Sequence, residues 1–355
     1  GYNGYKIVPG ISTGWHSFGS DVVGCAADLN GDGLNDILIG DSDASSGQGR
    51  AVVAYSPQAH PAVVDISEVG KATFFTARSG SSTIGLGFSG GLLDLNLDGK
   101  NDLVIGAYGS SSWSGHVHVI WGKTPLPSMV QLPVIDPQDG CYFAGKSGWK
   151  WGYSLATGDI NGDNHTDLVI GSLEAQVAVV VFARQGVNWP MGGSSDIPGS
   201  IQFSHTDWDE QFGISLATGD INGDQFDDVF IGASNSGNKK GAVYCSLGRS
   251  SPSSLGITDN SIPDGITWSR VNGTQFRGEL GSSLGSVHLA IGPGDDLLAG
   301  AFYARDKNGM AYLISHIITS SSPSSPQASP SWIWLIVPLG VVFILALAIG
   351  FVAII

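Results

Sequence analysis

Asp94-Leu-Asn-Leu-Asp-Gly-Lys-Asn-Asp102, followed by Leu-Val-Ile-Gly106, puts short oxygen-bearing side chains at positions 1, 3, 5 and 9 of a turn that runs into an apolar stretch. The pattern returns as Asp28-Leu-Asn-Gly-Asp-Gly-Leu-Asn-Asp36, Asp159-Ile-Asn-Gly-Asp-Asn-His-Thr-Asp167 and Asp220-Ile-Asn-Gly-Asp-Gln-Phe-Asp-Asp228. Successive starts lie 66, 65 and 61 residues apart. After each comes an apolar run ending in glycine (ILIG, LVIG, LVIG, VFIG). Eight to ten residues before each stands a large apolar residue and a glycine: Phe18-Gly19, Leu86-Gly87, Trp151-Gly152 and Phe212-Gly213. A fifth copy keeps the frame from Leu280-Gly281 to Asp296-Leu-Leu-Ala-Gly-Ala301. Self-similarity at such a period marks a repeat architecture in which one unit cannot bury its own faces and must stack on its neighbours.

Apolar runs of four to six residues bounded by glycine read as strands. Within a repeat the order is strand, acidic loop, strand, Gly/Ser-rich turn, strand, as in Leu103 to Gly122. About 60 residues leaves room for four strands, the size of a propeller blade. The predicted fold is all-β, with a propeller over residues 1–318 and blades centred near 28–56, 94–122, 159–183, 220–248 and 288–315. Composition agrees: 52 glycines and 13% charged residues suit many short strands and tight turns and leave no place for long amphipathic helices.

The net charge of -15, with no basic stripe, would repel a phosphate backbone and argues against nucleic acid as a partner. Regular carboxylate spacing points to cations instead. Three cysteines, Cys25, Cys141 and Cys245, are too few for a disulfide scaffold, and at least one is unpaired within the chain.

The Phe-Gly start, the Asp-x-Asn-x-Asp-Gly-x-x-Asp loop and the Ile-Gly-Ala finish resemble the FG-GAP repeats of integrin alpha subunits and of the propeller of glycosylphosphatidylinositol-specific phospholipase D. The resemblance covers roughly Gly1 to Ile318 and implies a seven-bladed ring. With five repeats here, about two blades would precede Gly1; a complete five-bladed ring is the alternative.

Ca²⁺ takes six to eight oxygen ligands, which alternate residues of a tight loop can aim at one centre. The expected ligands are the side chains of Asp28, Asn30, Asp32 and Asp36, of Asp94, Asn96, Asp98 and Asp102, of Asp159, Asn161, Asp163 and Asp167, and of Asp220, Asn222, Asp224 and Asp228. The position-7 carbonyls of Leu34, Lys100, His165 and Phe226 would complete them. An EF-hand would need a glutamate at position 12 between two helices. Here Ile39, Ile105, Ile170 and Ile231 stand there, inside predicted strands. Position 6 needs a sharp turn, which Gly33 and Gly99 supply, Asn164 tolerates and Gln225 tolerates poorly. In the fifth copy His288, Ala290 and Gly292 replace the ligands, so that copy should not bind calcium. Up to four structural Ca²⁺ ions are therefore expected. No nucleophile elbow, acid–base pair or His/Cys cluster is present, and no enzyme is expected. His116 and His118 read as surface or satisfied core residues.

In the resembling integrins the calcium loops occupy one face and partners bind the other. The turns predicted on that other face are Ser42 to Arg50, Tyr108 to Gly115, Gly145 to Trp151, His205 to Gln211 and Ser234 to Lys240. They offer Trp113, Trp149 and Trp208 as anchors for an extracellular protein or glycan ligand. A membrane-tethered lectin, or an accessory propeller of a phospholipase D-like or polysaccharide-degrading enzyme, is the alternative. Asn272-Gly-Thr and Asn164-His-Thr match the N-glycosylation pattern, with Asn164 disfavoured because it lies in a calcium loop. Residues 319–331 read as a Ser/Pro-rich stalk. Trp332 to Ile355 is a charge-free run of 24 residues, long enough to span a bilayer of about 30 Å as a helix. The expected placement is a single-pass type I cell-membrane protein with its propeller outside; a lipid-anchor signal, in which small residues, a spacer and an apolar tail follow in order, is the alternative.

Overall fold

The computed structural model describes residues 6–9, 18–19, 21–23, 28–42, 49–58, 63–68, 70–78, 85–123, 126–134, 136–192, 197, 199–205, 210–250, 255–257, 268–273, 278–287, 294–302, 309–315 and 333–337. The strands are β1 (Lys6–Val8), β2 (Asp21–Val23), β3 (Ile37–Asp41), β4 (Arg50–Ala54), β5 (Val63–Asp65), β6 (Ala72–Ala77), β7 (Leu86–Leu93), β8 (Asp102–Ala107), β9 (His116–Ile120), β10 (Met129–Leu132), β11 (Gly140–Ala144) and β12 (Trp151–Gly158). They continue with β13 (Asp167–Ser172), β14 (Val177–Val181), β15 (Ile201–His205), β16 (Phe212–Gly219), β17 (Asp228–Ala233), β18 (Ala242–Ser246), β19 (Leu255–Ile257), β20 (Trp268–Asn272), β21 (Leu280–Val287), β22 (Asp296–Ala301), β23 (Met310–Ser315) and β24 (Ile333–Val337). The helices among the described residues are two four-residue turns, α1 (Ser110–Trp113) and α2 (Ser236–Lys239). The fold class is all-β, as expected.

The chain divides into two compact units, one of residues Gly1–Thr157 and Asn164–Phe203, the other of Gly158–Asp163 and Ser204–Ile355. In the first unit the sheets run β10-β6-β4-β3-β2, β11-β9-β8-β7 and β12-β13-β14-β15, with β1 and β5 forming a parallel pair. In the second they run β16-β17-β18-β20 and β21-β22-β23-β24. Neighbours with a determined register are antiparallel except β10, which adds to β6 in parallel, and β1 with β5. Four strands of each repeat thus share one sheet, and β10 of the second repeat adds a fifth to the edge of the first, an arrangement consistent with propeller blades.

The second strand of a repeat is buried along its whole length in β8, β13 and β17, which is why it reads as a continuous apolar run. The core lies between successive sheets. Val104, Val117, Val119 and Phe143 of one repeat pack with Trp151, Leu168, Ile170 and Val179 of the next. In the second unit Phe230, Val243 and Cys245 pack with Leu297, Ala299 and Tyr312. Each such buried valine, leucine, isoleucine or phenylalanine stabilises the fold by about 1.5–3 kcal/mol relative to exposure.

The repeat-start glycines are there for close approach. A Cβ on Gly87, which has φ +81°, would lie 2.7 Å from the Arg50 carbonyl and 3.1 Å from the Gly40 Cα. Gly152 stands the same way against the His116 carbonyl and the Gly106 Cα. The glycine of the Phe-Gly start therefore seats on the glycine of the preceding Ile-Gly run, locking repeat to repeat. Ser89 Oγ adds a hydrogen bond of 2.8 Å to the Gly152 carbonyl. The equivalent Ser215 Oγ donates to the Gly281 carbonyl at 2.7 Å.

Three expectations need revision. Ile333–Val337, the start of the segment predicted as a spanning helix, is a strand, paired antiparallel with β23 from Ala311↔Val337 to Ser315↔Ile333. The backbone edge of β23, in an otherwise three-stranded sheet, is what this strand pairs with. Among the described residues no helix is long and apolar enough to cross a membrane. Residues 338–355 and the stalk at 319–331 lie outside the described residues. Second, His118 is fully buried and neither of its ring nitrogens meets a hydrogen-bond partner among the described residues, so it is not a surface residue and is not satisfied by them. Third, Gln225 takes φ +74° at position 6 as fully as Gly33 at +86°, Gly99 at +85° and Asn164 at +63°. Cys141 and Cys245 are buried free thiols; Cys25 lies outside the described residues.

Candidate metal centre and partner face

Each acidic loop joins the first and second strands of its repeat. In loop one, Asp28 Oδ1 accepts the Gly31 and Asp32 N–H groups at 2.6 and 3.0 Å, and Oδ2 accepts that of Gly33 at 2.7 Å. Asn30 Oδ1 takes the Asp32 N–H at 2.9 Å and Asp32 Oδ1 that of Leu34 at 2.9 Å. Loops two and four repeat these bonds: Gly99 N–H to Asp94 Oδ2 at 2.8 Å, Gln225 N–H to Asp220 Oδ2 at 2.8 Å. In loop three Asp159 Oδ1 accepts from Gly162 and Asp163. The backbone is bent to allow this, with left-handed φ at position 4 as well as position 6: Gly31 +82°, Leu97 +57°, Gly162 +71°, Gly223 +74°. Leucine at that position in loop two carries strain that glycine avoids elsewhere.

The position-9 aspartate does more than the spacing suggested. Asp102 opens β8 with no exposed surface; its Oδ2 accepts the Leu95 N–H at 3.0 Å and its Oδ1 the Gly122 N–H at 2.8 Å. Asp36 takes Leu29 and Ser56, and Asp228 takes Ile221 and Gly248, in the same way. The carboxylate thus staples the loop to the far end of the third strand. Burial pushes Asp102 and Asp228 up to about 7, and the neighbouring carboxylates at positions 5 and 1 push in the same direction. Asp36 is raised for the same reasons. Asp28, part-exposed, is lowered chiefly by its bond from the Gly33 N–H.

These observations bear on a cation. Among the described residues, no ion pair engages the aspartates of loops one, two or four, and the carboxylates at positions 1, 5 and 9 repel one another. Every carboxylate oxygen that holds one amide keeps a second lone pair. No three His, Cys, Asp or Glu side chains converge as a ready-made metal site among the described residues. What the loops assemble is a mixed set of Asp and Asn oxygens on a bent backbone, which fits a hard, oxygen-preferring ion. The position-12 residues Ile39, Ile105, Ile170 and Ile231 sit buried in β3, β8, β13 and β17, so these are strand–loop–strand sites and not EF-hands. His288, Ala290 and Gly292 lie outside the described residues; Asp296 is buried at the start of β22.

Spacing at positions 1 to 9 missed Asp227 and Asp295, at position 8 of the fourth and fifth copies. Asp227 Oδ2 accepts the Asp159 N–H at 2.8 Å while its own N–H donates to the Asp159 carbonyl at 2.8 Å. Asp295 Oδ2 accepts the Asp220 N–H at 3.2 Å and its N–H donates to the Asp220 carbonyl at 2.6 Å. Each clasps the start of the preceding acidic loop. Asp227 is raised, by burial first and then by Asp295, Asp159 and Asp220. The legible signal was the Asp-Asp doublet at 227–228 and 295–296.

Of the three tryptophans expected as anchors, Trp113 is 47% exposed at the end of α1, with φ +64°. Tyr108 lies 6.1 Å from its ring, and Lys150 Nζ, paired with Glu174 at 2.7 Å, stands 5.8 Å above it. Trp149 is half-buried, stacked on Trp151 at 5.8 Å and packed against the core. Trp208 lies outside the described residues. Asn272 is exposed on β20 and Asn164 is exposed in loop three.

A family profile described as FG-GAP repeat matches residues 86–120, 151–182 and 212–244, three of the repeats built above. Integrin alpha-V of Gallus gallus is 29% identical over 230 residues, which is 61% of this chain and 20% of that protein. Integrin alpha-7 of Homo sapiens is 38% identical over 102 residues, 26% of this chain and 8% of that one. Phosphatidylinositol-glycan-specific phospholipase D of Homo sapiens is 26% identical over 295 residues, 75% of this chain and 32% of that one. The chain spans less than a third of the length of each of these relatives. Three of its repeats match the FG-GAP repeat, and the chain is similar to integrin alpha subunits and to that phospholipase D.

Proposed function

We propose that the chain is the calcium-binding extracellular propeller of a membrane-anchored adhesion or recognition protein, its blades part of a seven-bladed ring. The observation that carries this reading is the fourfold recurrence of one acidic loop on strand hairpins, with carboxylates that repel one another. Calcium would be held by Asp28, Asn30, Asp32 and Asp36 and by their counterparts in the other three loops, with the position-7 carbonyls. It would supply charge neutralisation and folding energy, because the binding free energy of a site formed on folding adds to stability. No catalytic role is assigned to the chain.

Recognition would fall to Trp113, exposed beside Tyr108 and Lys150, with an extracellular protein or glycan as ligand. Attachment to the membrane would come through the apolar residues 338–355 that follow β24, as a short spanning helix or as part of a lipid-anchor signal. An accessory role beside a phospholipase D-like catalytic part is the second reading, favoured by the relative that aligns over 75% of the chain. The test is adhesion of beads coated with the ectodomain to panels of matrix proteins and glycans, in calcium and in EGTA. Calcium-dependent capture weakened at least tenfold by Trp113→Ala is expected; capture indifferent to both chelation and Trp113→Ala overturns the reading.

A further inference from the structure

On the first unit a cavity of about 450 Å³ opens beside loop two, framed by Trp121, Trp189, Gly140, Gly186, Asn188 and Asn96. Its volume is in the range of small-molecule sites. The two indoles stand 6.4 Å apart at 57° and both are fixed from behind. Trp121 Nε1 donates to the Pro137 carbonyl at 2.8 Å. Trp189 leans on Phe143, edge to face at 6.3 Å, and on the Arg184 guanidinium 5.7 Å from its centroid. Gly140 keeps one wall low, since a Cβ there would strike the Val119 carbonyl. Gly186, at φ +72°, turns the chain so that Asn188 is exposed at the rim. The Asn188 carboxamide and the Trp189 indole N–H make no hydrogen bond among the described residues.

We infer that this cavity is a subsite for a neutral saccharide. The half-buried Trp189 indole, with buried Trp121 behind it, suits the apolar C–H face of a pyranose ring, and a free carboxamide offers the donor and acceptor that pair with neighbouring hydroxyls. Among the described residues no charged side chain lines the cavity, so nothing there pairs with the carboxylate of an anionic sugar. Held rings lose little freedom on binding, which favours affinity for a small ligand. Asn96 is engaged with Asp98 in the loop, so the direct polar contact falls to Asn188. The site stands independently of the recognition role given to Trp113.

The intact ectodomain, in calcium, is titrated calorimetrically with glucose, galactose, mannose, fucose and N-acetylglucosamine, with glucuronate and sialic acid as charged controls. At least one neutral sugar binds, and both Trp189→Ala and Asn188→Ala weaken it at least tenfold while Val63→Ala, at an exposed residue outside the cavity lining, leaves it unchanged. Asn188 is exposed, so its variant reports on the site even if loss of Trp189 perturbs the fold. Absence of binding by all five neutral sugars, binding by the charged controls alone, or affinity unchanged in Asn188→Ala overturns the inference.

Discussion

At the scale of single residues, position in the acidic loop separates roles that the amino-acid type does not. Asp94 accepts only loop amides and is free to face an ion, whereas Asp102 is buried and binds Leu95 and Gly122. Asp94→Ala is therefore expected to lower calcium stoichiometry by one with a modest loss of stability, and Asp296→Ala to leave stoichiometry unchanged. Elemental analysis of the dialysed protein checks both. Glycopeptide mapping is expected to find sugar at exposed Asn272 and little at Asn164, where a bound ion and a glycan would compete for one turn. The ligand pattern was legible because short-range spacing carries it. The clasps of Asp227 and Asp295 were not, because their partners, Asp159 and Asp220, lie 68 and 75 residues away.

At the scale of elements, the repeat grammar read correctly into strands because its punctuation is steric. Gly99 and Gly87 make the point by contrast. Both have left-handed φ, +85° and +81°, but a Cβ on Gly99 meets open space while one on Gly87 meets the Arg50 carbonyl at 2.7 Å. Gly99→Ala should cost about 1–2 kcal/mol from backbone strain alone. Gly87→Ala should cost more, since the clash with backbone adds to that strain. Urea denaturation of the two variants in calcium orders them; equal midpoints would contradict the proposed seating of repeat on repeat. The Ile333–Val337 strand was illegible because hydropathy does not distinguish a spanning helix from a strand completing a sheet. That choice is made by the edge of β23, far from it in character and visible only once the sheet is built.

At the scale of the whole molecule, pH and calcium act on different buried groups. Burial holds His116 at about 4 and His118 at about 3, His116 adding to the effect on His118, below an ordinary value of 6.5. Folded-state values below the unfolded one mean that the unfolded chain binds more protons between them. Their contribution is fully present above pH 6.5 and is lost as pH falls from there toward 4 and 3. Asp102 and Asp228, raised to about 7 from 3.8, act oppositely when no cation neutralises them: the folded state gains as pH falls from above 7 toward 3.8. In saturating calcium, acidification from pH 7 to 5 is thus expected to lower the melting temperature; in EGTA the carboxyls should blunt or reverse that trend between pH 8 and 6.

The central claim is that the four acidic loops are structural calcium sites, and thermal unfolding of the ectodomain at pH 7.4 in 1–5 mM calcium and in EGTA, conditions of a conventional titration, tests it most directly. The melting temperature should fall on chelation and recover when calcium is returned in excess. An identical melting temperature in both buffers would contradict it.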